Sequence, residues 1–237
     1  ENGESSLAVL TGLTIQNGYA HGGPPNDVGG GIYCDNSSPS LVNVTITNNT
    51  ASGSGGGIFC ENSSSPSLVN VTISGNTAES GGGIKFLISN SSLVNVTISG
   101  NSASDDGGGI YCGYSSPSLK NVTITGNSAS SYGGGIYCSS SDPTLVNCII
   151  WNDSPQEIFV LSGTTTVTYS DIQGGWTGIG NIDANPLFCN PNSGDYTLAE
   201  NSPCLGTGEN DANMGAFGAG CGEVFNGPVW HAATTGS

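Results

Sequence analysis

The side chains of this sequence able to move protons are few. Lys85 and Lys120 are the only strong bases, no arginine accompanies them, and His21 and His231 lie near opposite ends of the 237 residues. Local spacing therefore builds no histidine metal cluster. Lys85 is the one candidate general base, without an acidic cluster in its own motif. Hydrolysis of a glycosidic bond would need two carboxylates converging on one face. Asp35, Glu61 and Asp142, near equivalent loop positions, and Asp105 and Asp106, before a glycine run, read instead as solvated loop charges. Serine is abundant, but no base is placed to activate one. The expectation is a chain with no catalytic residues.

Binding chemistry is better represented. Tyr33, Phe59, Tyr111 and Tyr137 recur at one position of a repeated motif and form an outward stripe, which could meet the faces of sugar rings. Self-stacking that shields the surface is the preferred alternative. Cys34, Cys60, Cys112 and Cys138 form a second column, interrupted by Phe86. Neighbouring members could bridge by Cα spacing, but parallel neighbours hold their Cβ atoms near the limit for a disulfide, so bridges and buried thiols both remain open. Thr45, Thr72, Thr97 and Thr123, with Thr47, Ser74, Ser99 and Thr125 two residues on, give a paired hydroxyl array. It resembles the arrays of ice-binding solenoids, although threonine on a solvated strand is the plainer explanation.

These columns exist because the sequence repeats. The third glycine of a GGGI motif falls at Gly31, Gly57, Gly83, Gly109 and Gly135, in steps of 26. A second motif begins at Leu41, Leu68, Leu93, Leu119 and Leu145, with steps of 27, 25, 26 and 26. Each unit holds short β-rich runs between turn-forming stretches, with no helical apolar period. One such unit cannot bury its own apolar face, so units must stack in register, each strand pairing with its equivalent about 4.8 Å away. Ile32 and Cys34 are then inward with Tyr33 outward, Lys85 points out and Phe86 in. Leu41, Val44 and Ile46 face inward if a corner at Asn43 resets the alternation, and Lys120 then points to solvent. The fold expected is all-β, a right-handed parallel β-helix, or β-solenoid, of about seven 26-residue coils.

The run GGGIYC followed by SPSLVNVTITNNTA resembles the coils of right-handed parallel β-helix proteins, the pectate-lyase-like superfamily, and most of all its bacterial extracellular repeat members. NIDANPLFCNPNSGDYTLAENSPCLGTG through MGAFGAGC resembles their closing segment, so the likeness spans about residues 8 to 222. It implies fold rather than activity, since the superfamily holds lyases, hydrolases, adhesins and inert fibres. Lyases of this kind use Arg or Lys with calcium on acidic polysaccharide, and the lack of arginine counts against that chemistry. The likeness also implies that Asn43, Asn70, Asn95, Asn121 and Asn147 stack at a sharp left-handed corner and bond from coil to coil. Four of them begin N-V-T sequons, but a buried ladder is preferred there to a glycan. Asn36, Asn62 and Asn90, in N-S-S loops, are the better glycosylation candidates.

Residues 1–222 are expected to form one β-helix with an irregular closure over about 176–222. Among Cys189, Cys204 and Cys221 the preferred disulfide is Cys189 with Cys221, as a clamp on the end of the stack. Residues 8 to 20 match a coil through Leu10, Gly12, Leu13 and Ile15, leaving the first rung exposed. The tail, 223–237, carries Val224, Phe225, Val229 and Trp230, which could dock head-to-tail on a neighbour or lead to a cell-surface anchor. A net charge of -16 disfavours nucleic acid and anionic membranes. No stretch is long and apolar enough to span a membrane. Eight cysteines in so polar a chain point to an oxidising, extracellular setting, secreted or at the cell surface. No cofactor is expected, the acidic loops leaving room only for structural calcium. The leading expectation is a structural, adhesive or fibre-forming unit, with polysaccharide binding or cleavage second.

Overall fold

The computed structural model describes residues 8–23 and 25–224. A full coil runs through four short strands, and each turn between them contains a residue in the left-handed region. Sheet A stacks seven strands from Val9–Thr11 to Thr166–Thr168, and sheet B seven from Thr14–Gln16 to Asp171–Ile172. Sheet C has five two-residue strands from Tyr19–Ala20 to Ser128–Ala129, and sheet D six from Ile32–Asp35 to Ile158–Val160. Every pairing within these sheets is parallel and in register, Leu41 with Leu68, Ile73 with Ile98, Ile110 with Ile136. The expected solenoid is present, first coil included, with Leu10 beside Leu41 and Ile15 beside Ile46.

The glycine triplet is a three-part device. The first glycine of each run, Gly29, Gly55, Gly81, Gly107 and Gly133, has φ between 63° and 69° and turns the chain from sheet C into sheet D. The second has backbone against it on two sides; a Cβ on Gly108 would lie 2.4 Å from the Ser128 carbonyl oxygen and 2.6 Å from that of Gly134. The third leaves room for an amide, with Asn127 Nδ2 only 3.2 Å from where a Cβ on Gly109 would sit.

Inside, Leu41, Val44, Ile46, Ile58 and Phe86 and their equivalents form one continuous buried column. The left-handed residue at Asn43 (φ 54°) resets the side-chain alternation between sheets A and B. Beyond the last coil the chain folds under the stack. Asn181 Nδ2 donates to the carbonyls of Val167 (2.9 Å) and Trp176 (3.1 Å), and Trp176 packs against the core.

The closure departs from the expected end clamp. Phe188–Asn190, Asp195–Ala199 and Ala219–Cys221 form a small separate sheet, joined by the Cys189–Cys221 disulfide. This segment folds back along the outside of sheet B. The Gly215 amide donates to the Asn147 carbonyl (2.8 Å), the Ala216 amide to Thr123 Oγ1 (2.9 Å) and the Glu209 amide to Asn147 Oδ1 (2.7 Å). The cause lies in the fifth second-motif copy: Ile149 and Trp151 take the outward positions held one coil earlier by Thr123 and Thr125. That apolar spot packs with Leu198, Cys204 and Met214 in a second, smaller core.

Candidate functional site

On sheet D the aromatic stripe is a column stacked on itself. Tyr33 lies over Phe59 (centroids 5.7 Å apart), Tyr111 over Tyr137 (4.8 Å) and Tyr137 over Phe159 (5.7 Å), with Tyr132 adding a ring on Phe159 (4.4 Å). Phe59 and Tyr137 are 5% and 6% exposed, whereas Tyr33 is 38% exposed. The four glycan-contact candidates are therefore brought together, but two are buried, because rings one rung apart cover each other's faces.

Lys85 occupies the middle of this column. Its Nζ donates to Ser54 Oγ (2.9 Å) and sits 4.5 Å from the centre of the Tyr111 ring. Burial lowers its pKa, opposed by Glu79, Asp105, Asp106 and Glu61. An acidic fringe thus does surround Lys85. It was illegible in the lysine's own motif because it is gathered from outside it: Glu79 and the Asp105–Asp106 pair stand in the loops before two successive glycine triplets, the Asp105 amide donating to the Glu79 carbonyl, and Glu61 ends the sheet D strand one coil earlier. Lys120 is exposed on sheet A, as expected. Asp35 pairs in register with Glu61, whereas Asp142 belongs to a different column, its amide bonding to Ser116 Oγ.

The Asn43 column makes the expected left-handed corner, φ lying between 52° and 55° from Asn43 to Asn147. Asn70, Asn95 and Asn121 each donate an amide N–H to the asparagine one coil before (3.1–3.2 Å). It is not the buried ladder expected. Asn43 and Asn70 are exposed, and only Asn147, under the closing segment, is buried. The turn carries these side chains outward along the surface. Asn36, Asn62 and Asn90 are exposed too.

The buried ladder stands six residues further on, in Asn49, Asn76, Asn101 and Asn127, each at most 1% exposed. Asn76 shows the pattern: its Oδ1 accepts both the backbone and side-chain N–H of Asn49 (2.9 and 3.0 Å), and its Nδ2 donates to Asn101 Oδ1 (2.9 Å) and the Ile46 carbonyl (3.0 Å). The recurring NTA or NSA after each second motif was the signal available for it.

Asp153 ends this ladder in place of a fifth asparagine. Its Oδ1 accepts Asn127 N–H (2.6 Å) and Nδ2–H (2.8 Å), while its Oδ2 is buried with no donor. That oxygen lies 2.9 Å from the place of a Cβ on Gly135, the position that Asn127 Nδ2 takes beside Gly109. The Glu157 carboxylate is adjacent, accepting the Asp153 amide (3.1 Å). Burial, and then Glu157, push Asp153 well above the carboxylate range, and burial raises Glu157 as well. Both shifts favour the protonated form at the foot of the ladder. The pair borders a cleft of about 380 Å³ that also includes Gln156, Gln173 and Trp176. The Glu157 carboxylate, turned onto the Asp153 backbone amide, closes this terminus of the ladder.

The remaining candidates divide by location. Cys34, Cys60, Cys112 and Cys138 are buried free thiols. Of the hydroxyl array, Thr97, Ser99, Thr123 and Thr125 are buried beneath the closing segment, which removes half of the flat face that ice binding would use. Val224 exchanges hydrogen bonds with Asn201 of its own chain, Nδ2 to carbonyl and amide to Oδ1, both 2.9 Å. Phe225, Val229, Trp230 and His231 lie outside the described residues. Among the described residues no group of three or more metal-binding side chains occurs, and no helix is long and apolar enough to cross a membrane.

Comparison with curated proteins and with solved structures returns no match. A family model described as right-handed beta helix region matches residues 2–116 and, in a second overlapping alignment, residues 30–193. Together the two spans cover the glycine triplets and ladders described above, and the chain belongs to the right-handed beta helix family.

Proposed function

We propose that this chain is a non-catalytic structural protein, secreted or displayed at a cell surface, whose coils form a stiff body for adhesion and head-to-tail assembly. One observation carries this reading. Three of the recurring side-chain columns are engaged from coil to coil: the Asn49 ladder amide to amide, the aromatic column ring to ring, Ser89, Ser115 and Ser141 hydroxyl to amide. Such residues hold rungs together and leave little free chemistry. Val9, Leu13 and Tyr19 of the first coil are exposed, at 59%, 36% and 65%, and suit contact with another copy. Sedimentation and electron microscopy over a concentration series test this. Polymers are expected for the full chain and monomers after deletion of 225–237. A chain that stays monomeric throughout and releases reducing or unsaturated ends from polysaccharide sinks it.

A second function, polysaccharide contact over sheet D, draws support from Lys85, whose ammonium rests on Tyr111 in the same column that ends in the exposed Tyr33. Glycan-array binding abolished by Tyr111→Ala would favour it.

A further inference from the structure

The closing segment leaves a cleft of about 350 Å³ between itself and sheet B. Its floor is Thr72 and Ser74 from one coil and Thr97 and Ser99 from the next, paired in register about 4.8 Å apart. Ile98, between the last two, is fully buried, so Thr97 and Ser99 both point outward toward the cleft. Tyr196 and Phe217 of the closing segment stand over this floor. The Tyr196 ring is held edge-on against Phe188 (centroids 5.4 Å, 78°).

Thr97 and Ser99 are only 3% and 6% exposed, and among the described residues neither hydroxyl has a hydrogen-bond partner. Their neighbours in the same columns do. Thr123 Oγ1 accepts the Ala216 amide (2.9 Å), Thr125 donates to the Trp151 carbonyl (2.6 Å), and Ser74 donates to Thr47 (3.1 Å). Neither hydroxyl oxygen is sealed from solvent, so both are reached from the cleft. Both therefore stand ready to donate to, and accept from, whatever occupies the cleft.

We propose that this cleft binds a neutral glycan chain. Hydroxyls along the floor match the alternating donors and acceptors of a sugar, and aromatic rings at the wall match its apolar C–H faces. No Asp, Glu, Lys or Arg lines the cleft, although the chain carries a net charge of -16. An anionic polysaccharide would meet repulsion outside and no cation within. The proposal is independent of the structural role and of any contact over sheet D.

Titration calorimetry with cellohexaose, mannohexaose and xylohexaose, and with oligogalacturonate as the anionic comparison, tests it on the full chain. Thr97→Val with Ser99→Ala removes the two hydroxyls while leaving Ile98 and the strand pairing in place, and Phe217→Ala removes part of the wall. At least one neutral oligosaccharide is expected to bind, about tenfold or more weakly in each variant, with oligogalacturonate silent. Unchanged melting temperatures would show that the variants fold. Absence of binding to all three neutral probes overturns the proposal, as does binding that survives both variants but is lost in Tyr111→Ala.

Discussion

Asp153 shows how one residue type changes a whole column. The four asparagines before it are both donors and acceptors, so each amide satisfies its neighbours on two sides. A carboxylate in the same place only accepts, and Asp153 Oδ2 takes the position of the missing donor. Burial and then Glu157 raise its pKa, and protonation supplies the missing donor. Asp171, fully buried and accepting the Ala184 amide (3.0 Å) and the Cys204 thiol (3.1 Å), is also pushed up, to about 6, chiefly by burial. A carboxyl whose folded pKa exceeds its unfolded value stabilises the fold most below the unfolded value, and that contribution is lost as pH rises through the folded one. Thermal midpoints are thus expected to fall between about pH 4, the ordinary carboxyl range, and pH 7. Asp153→Asn supplies the amide directly, aimed at the Ile124 carbonyl by analogy with Asn127 and Ile98. It is expected to raise the midpoint at pH 7 and flatten the profile; a steeper profile would refute the part assigned to Asp153.

The turn from sheet C to sheet D needs its glycines for different reasons, and substitutions separate them. Gly108→Ala forces a methyl group into two carbonyl oxygens and is expected to cost about 3 kcal/mol in urea unfolding. Gly100, at the sheet B to sheet C turn, has φ 61° and nothing within 4 Å of a Cβ, and Asn48 takes the equivalent place with φ 54°. Gly100→Asn is therefore expected to lie within about 0.5 kcal/mol of the parent. Equal costs for the two would mean that conformation, rather than contact between coils, governs both.

The molecule as a whole is two cores of unequal size, the continuous column inside the coils and the small cluster around Ile149 that fixes the closing segment outside them. The Cys189–Cys221 disulfide lies within the closing sheet and does not cross to the stack. Replacing both cysteines by serine should expose 186–222 to protease early while the far-ultraviolet melt of the stack stays within a few degrees. A coincident loss of both would show that the closure holds the coils together.

The sequence by itself determined the coil. A 26-residue period, glycine triplets and apolar residues in fixed columns are local statements, and stacking repeats them without adding information, so strand register, the inward face and the Asn43 corner were all legible. It also carried two marks that went unread, the NTA ladder and the apolar Ile149 and Trp151 on a face otherwise lined with hydroxyls. Only the tertiary structure decided what lies between columns. The fringe around Lys85 comes from several coils, burial of Phe59 and Tyr137 comes from the rings above and below, and the cover on the threonine array comes from residues more than 90 positions later, such as Ala216 on Thr123. A repeat specifies neighbours one period away, whereas contacts with a segment outside the repeat depend on where the chain returns in space.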